Sequence, residues 1–94
     1  MPAYIMLSKL TEDGAETIKK NPERILEVDR EMSQWGITVL HQFAVLGEYD
    51  FVTIIEAPDN LAVAKASLEL GARGSVSIMT LPAIPVEELV EGVR

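Results

Sequence analysis

Residues 37–46 (ITVLHQFAVL) and 50–57 (DFVTIIEA) are rich in β-branched and aromatic side chains, the composition of β-strands. Side chains along a strand point alternately to opposite faces, so a sheet with one wet face alternates apolar with polar residues. Neither segment does. One parity of the first holds Ile37, Val39, His41, Phe43 and Val45, and the other holds Thr38, Leu40, Gln42, Ala44 and Leu46. In the second, Phe51, Thr53, Ile55 and Ala57 share one parity, and Val52, Ile54 and Glu56 the other. Whatever the chain folds into must therefore cover both faces of these strands.

The rest of the chain shows what covers are available. Residues 3–10 (AYIMLSKL) form a strand pattern, with Ile5 and Leu7 on one side and Tyr4 and Met6 on the other. A short helical turn enters at Thr11, with Asp13 and Glu16 near its positive end. NPER (21–24) reads as a helix start: Asn21 caps, Pro22 suits the first helical position and Glu23 the first turn. Ile25, Val28, Met32 and Trp35 recur at three- and four-residue intervals as one apolar stripe, and Gly36 ends the helix. Between the two central strands a two-residue turn at Gly47–Glu48 makes a hairpin, Gly47 supplying the positive φ. Pro58 halts the second of these strands and Asp59 caps the next helix. Its expected stripe is Leu61, Ala64 and Leu68, with Ala62 and Ala66 permitting close approach to a sheet and Gly71 closing it. Residues 73–84 form the last strand, where Pro82 argues for a sheet edge. Residues 85–93 read as a short amphipathic tail.

The order β-α-β-β-α-β, with right-handed crossovers, gives an α+β fold of the ferredoxin-like kind. Both helices lie on one face of a four-stranded antiparallel sheet. The helices cover one apolar face, and the other is left bare. An apolar patch of that size marks an interface, and its simplest cover is the same face of a second subunit across a two-fold axis. Burying ~600 Å² of apolar surface per subunit would contribute on the order of 15 kcal/mol before association costs. The expected partner is thus the chain itself, as a homodimer. The alternative is a tail folded over its own sheet, but Val86, Leu89 and Val90 are too few to cover four strands. The tail, 85–94, can instead clasp a neighbouring subunit and build a larger ring.

Several function classes are excluded. The 94 residues make one domain, 1–94, with enough burial to fold unaided. With no cysteine there is no disulfide, thiolate metal site or thiol nucleophile. Eight basic against fifteen acidic residues give a net charge of −7, which repels phosphate backbones, so no nucleic acid is expected. The start MPAYIMLSKL lacks the features of a signal peptide, and no apolar run is long enough for a membrane helix. The expected location is cytoplasmic, with no membrane partner. No Gly-rich phosphate loop, dinucleotide fingerprint or nucleophile elbow occurs, and no cofactor is expected.

The stretch LGEYDFVTIIEAPD (46–59), with its cluster Gly47, Tyr49 and Asp50, resembles the signature of the GYD-domain family. The resemblance extends to YIMLSKLTEDG near the start, NPER before the long helix and GSVSIMTLPAI near the end, about residues 5–85. It implies a dimeric α/β barrel, a superfamily of ferredoxin-like folds, and agrees with the pairing reached from the strand pattern. The superfamily includes cofactor-free monooxygenases, isomerases, haem proteins and ligand-binding regulatory domains, an analogy of fold alone. Phe43 departs from the tyrosine expected in many relatives, so chemistry needing a hydroxyl there is lost.

Candidate site residues carry two readings each. Asp50 accepts hydrogen bonds from loop N–H groups as short acidic side chains do in turns, or with Tyr49 it forms a ligand contact or proton carrier. His41, the sole histidine, shares a face with Glu56 in a neighbouring rung. The pair is a satisfied polar contact in the interface, or it orients an imidazole for base catalysis. One histidine and one carboxylate make a poor metal set, and no metal is expected. Tyr4 and Trp35 serve the core or line a ligand cavity between helices and sheet; Phe43 joins the candidate ligand contacts. Arg24 and Arg73 are solvated, or they bind a carboxylate. Two functions follow. The preferred one is a small-molecule-binding or assembly module without catalysis. The other is a cofactor-independent monooxygenase- or isomerase-like enzyme acting on a small apolar or aromatic metabolite. The catalytic candidates are then His41, Tyr49 and Asp50, with Tyr4 beside them around a closed cavity of several hundred Å³.

Overall fold

The chain begins with β1 (Ala3–Leu10) and passes at Thr11 into α1 (Glu12–Lys20) in the computed structural model, which describes all 94 residues. Thr11 is extended, and its Oγ1 accepts from Gly14 N at 3.1 Å, the N-cap geometry that satisfies a free N–H of the first turn. Glu12 and Asp13 sit at the positive end and Lys19 and Lys20 at the negative end, as the helix dipole favours. The expected short turn is thus a full nine-residue helix. Its length changes the role of Asn21, which ends α1 by donating its N–H to Thr17 O at 2.8 Å. Asn21 therefore does not cap the next helix with its side chain. Its carbonyl accepts from Arg24 N as α2 (Arg24–Gln34) begins, and Glu23 at the cap makes no side-chain bond.

Gly36, at φ 82°, ends α2 and turns the chain into β2 (Thr38–Ala44). β3 (Phe51–Glu56), α3 (Asn60–Ala72), β4 (Val76–Ala83) and α4 (Val86–Val93) follow. The sheet order is β2-β3-β1-β4 with every neighbouring pair antiparallel, the ferredoxin-like arrangement expected. Pro82 lies on an edge strand, where its missing N–H costs no ladder bond on the solvent side. No helix is long and apolar enough to cross a membrane.

The core lies between the sheet and α2 with α3, built on Tyr4, Met6, Met32, Ile37, Ile55, Ala57, Val63, Ala66 and Leu70. Ala66 is buried and allows α3 to approach the sheet, as expected. The rest of the α3 face differs from expectation. Val63, Ala66 and Leu70 face inward, while Leu61 and Leu68 are 67% and 75% exposed. The physical reason is that α3 (NLAVAKASLELGA) is apolar nearly all round, so spacing alone does not choose a face.

β2 carries the second difference. Val39 pairs with Ile55 and His41 with Ile54, so Leu40 is an extra residue, a β-bulge. Ile37 and Val39 face the helices; beyond the bulge the parity inverts, and Gln42 faces them instead. His41 and Phe43 are thereby on the opposite side, with Val52, Ile54 and Glu56. The single parity expected for Ile37 through Val45 is thus broken at Leu40.

Candidate functional site

The Gly-Glu-Tyr-Asp cluster lies in the connection between β2 and β3. The last cross-strand bond runs from Val45 N to Asp50 O at 2.9 Å, leaving four residues, Leu46–Tyr49, rather than two in the turn. Gly47 takes φ 126°, a conformation L side chains avoid. Asp50 is tied to β1 twice: its N–H donates to Ser8 O, and its Oδ2 accepts from Leu10 N, both at 2.8 Å. The carboxylate completes the backbone bonding of the end of β1. Asp50→Ala is expected to lower stability by about 1.5–3 kcal/mol, the range for a hydrogen bond to a charged group, in a thermal melt. The Tyr49 hydroxyl donates to Met79 Sδ on β4 at 3.5 Å, so its side chain reaches across the end of the sheet on the side away from the helices.

That side of the sheet is uncovered. It carries Ile5 and Leu7 from β1, His41 and Phe43 from β2, Val52, Ile54 and Glu56 from β3, and Met79 and Leu81 from β4. None is buried, and Phe43, Met79 and Leu81 are 54%, 49% and 42% exposed. The His41 and Phe43 rings stack with centroids 6.4 Å apart. Glu56 stands opposite Thr38, near the His41 rung.

Between the helices and the other face lies a cleft of about 340 Å³. Its apolar walls come from Met6 of β1, Ile25, Val28 and Met32 of α2, Leu70 of α3 and Ile78 of β4; its polar groups include Asp29 and Gln42. Tyr4, Trp35, His41, Phe43, Tyr49, Asp50 and Glu56 do not line it. Tyr4 is buried near the far end of the sheet, its hydroxyl donating to Asn60 Oδ1 at 2.6 Å. Trp35 packs against the core, and the Arg73 guanidinium sits 6.0 Å from its ring centre. Arg73 also binds Glu31 through two nitrogens, at 3.0 and 2.7 Å, and Arg24 reaches Glu27 and Glu31 at 3.3 Å. The candidate set thus occupies the open face, the β2–β3 connection and the core, and does not converge.

The GYD domain family model matches residues 4–93. The chain belongs to the GYD domain family. A GYD-sized protein of Thermus thermophilus, named glutamine synthetase and cystathionine beta-lyase binding protein, is 57% identical over 91 residues. The match covers 96% of each chain. No solved structure matches.

In this GYD protein the polar group that spacing fails to single out is Asp29. Ile25 lies four residues before it and Met32 three after, so the carboxylate stands on the margin of the buried stripe of α2. An acid so placed is the available signal. Its Oδ1 is shielded from solvent and meets no donor. Burial raises the Asp29 pKa above the ordinary 3.8, while the nearby Gln42 side chain and the Arg30 charge pull the other way. In the unfolded chain Asp29 ionises first, so stability falls as pH climbs from 3.8 to the raised folded value and then stays at the lower level. Asp29→Asn removes that penalty. The variant is expected to melt above the parent at neutral pH, with the gap closing below pH 3.8 in melts across a pH series. Glu31 has the opposite sign. The Arg73 hydrogen bond lowers its pKa, so its contribution is present above the ordinary 4.5 and is lost as pH falls through the folded value.

Proposed function

We propose that this chain is a non-catalytic assembly module that pairs with a second copy and docks on a metabolic enzyme. The observation that carries the pairing is the uncovered sheet face, where apolar side chains from all four strands adjoin without a helix over them. Two such faces packed about a two-fold axis make a homodimer, the dimeric α/β barrel. In α4 no residue is buried, and Val86, Leu89, Val90 and Val93 are all exposed apolar groups. This helix is the arm that clasps a neighbouring copy and, between dimers, extends a ring. Docking is supported by the name of the Thermus relative, a glutamine synthetase and cystathionine beta-lyase binding protein. Leu61 and Leu68, on the outer side of α3 and clear of the sheet's open face, are the surface we assign to the enzyme.

The enzymatic alternative, a cofactor-independent monooxygenase or isomerase, needs Tyr4, His41, Tyr49 and Asp50 around one cavity. Those four side chains are dispersed, so the geometry favours the module. The test is capture of purified glutamine synthetase and cystathionine beta-lyase from the same organism by the immobilised full chain. At least one should bind at micromolar concentration, and Leu61→Lys with Leu68→Lys should release it without changing sedimentation of the module. Binding of neither enzyme removes the docking assignment. A monomeric parent in the ultracentrifuge removes the pairing.

A further inference from the structure

The cleft between the helices and the sheet plays no part in pairing or docking. Its volume of about 340 Å³ falls in the range of small-molecule sites, which run from about 300 to 1,000 Å³. Close-packed interiors hold few voids larger than a water molecule, so a space of this size is not slack packing. Its two helical walls are fastened separately. With no Cβ at Gly14, the first turn of α1 lies against Ser75 O, which accepts from Thr11 N at 3.1 Å. On the other side Arg73, at the end of α3, grips Glu31 of α2 through two nitrogens, at 3.0 and 2.7 Å. Each wall is anchored to a different part of the frame, and the cleft is preformed.

The lining differs between its two ends. Met6, Met32 and Leu70, all buried, with half-buried Val28 and Ile78, make an apolar floor. Toward α1 the lining turns polar, with Ser8, the next inward residue after Met6 on β1, Ser75 against Gly14, and Thr17 on α1 itself. Each of these hydroxyls can both donate and accept. The charged groups of the lining are satisfied within the chain or by water. Arg24 and Arg73 share Glu31, with Glu27 and Glu69 as further partners. Asp29 is hydrogen-bonded by the Gln42 side chain, and its Oδ1 is closed to solvent. Asp13 is exposed in the first turn of α1, at the positive end of that helix. A charged ligand would therefore shed its hydration without meeting a free counter-ion. An uncharged one has no such cost.

We propose that the cleft binds a small uncharged amphiphile, a hydrocarbon body ending in one hydroxyl group, its chain over Met6, Val28 and Met32 and its hydroxyl among Ser8, Thr17 and Ser75. The site is separate from the sheet face and from the outer side of α3, so it stands or falls independently of pairing and docking.

The test uses the full chain and three probes of equal chain length, octan-1-ol, octanoate and octylamine, titrated by calorimetry at neutral pH. Octanol should bind at least about tenfold more tightly than either ion, a difference of about 1.4 kcal/mol. Bound octanol should give nuclear Overhauser contacts from its methyl end to the Met6 and Met32 methyl groups. Its hydroxyl-bearing carbon should give them to the Thr17 methyl group. Val28→Phe, which puts a ring into the cleft, should weaken octanol by at least about tenfold in a variant that circular dichroism shows to be folded. The contacts are read on the parent and decide the matter whether or not that variant folds. An ion bound as tightly as octanol, or no octanol binding up to its solubility limit, would overturn the assignment. So would contacts to His41 and Phe43 on the open sheet face, or undiminished binding by folded Val28→Phe.

Discussion

Gly14→Ala is expected to lower stability by about 1–3 kcal/mol, the usual cost of forcing an extra carbon into a packed site. For a chain of this size that lowers Tm by about 5–20 °C. A Cβ at Gly14 would stand 1.9 Å from Ser75 O and 2.9 Å from Ser75 C, both backbone atoms that no rotamer can move. The same carbonyl accepts from Thr11 N at 3.1 Å, while Thr11 Oγ1 donates to Gly74 O at 2.8 Å. The first turn of α1 is thus fastened directly to the segment entering β4. Alanine's better helix propensity returns up to about 1 kcal/mol and does not offset the collision. The strain is released by moving α1 outward, and because Gly14 and Ile18 line the cleft, that movement widens it. A calorimetric melt equal to the parent's would show that the contact between α1 and β4 yields without cost.

The second large effect concerns the open sheet face. Phe43→Lys combined with Ile54→Lys is expected to convert the proposed dimer into monomers of about 10.3 kDa. Phe43 is 54% exposed in the single chain, and Ile54 lies between Ile5 and His41 near the middle of the patch. In one copy these lysines reach water and affect the fold little. In a two-fold interface each appears twice, and an ammonium without a partner has several kcal/mol of hydration to lose. The dimer dissociation constant should rise by at least about 100-fold, the equivalent of ~3 kcal/mol. Sedimentation equilibrium at micromolar concentration reads this directly, and a circular dichroism melt establishes that the variant is folded. A variant that sediments with the parent as a dimer would place the interface elsewhere on the surface.

The order of elements is legible in the sequence because its signals are local and strong. Thr11 at a helix entry, Gly36 and Gly47 at positive φ and Asp59 accepting from Ala62 N all follow from the chemistry of single residues. What is not legible depends on three-dimensional context. The inward face of α3 escapes a reading by spacing because Leu61, Val63, Leu68 and Leu70 are comparable in hydrophobicity, and only the position of the sheet decides among them. The parity of β2 escapes it because nothing in ITVLHQFAVL marks Leu40 as the extra residue. Asp29 is one more acid in a helix where acids are common; its burial beside Gln42 is visible only once α2 has packed against the sheet. Within the conspicuous pair, Asp50 fastens β1 to the β2–β3 connection, while Tyr49 reaches Met79 on β4.

The bulge at Leu40 ties two distant surfaces to one position. Upstream of it the strand keeps the phase set by Ile37; downstream, Gln42 is sent behind the sheet toward Asp29, and His41 and Phe43 in front. Were Leu40 paired in a regular ladder instead, the two sets would exchange, putting an amide among the greasy side chains outside and two rings against the helices. The cleft behind the sheet and the open face in front of it therefore share a single hinge of register, and neither can be re-phased while the other stays as it is.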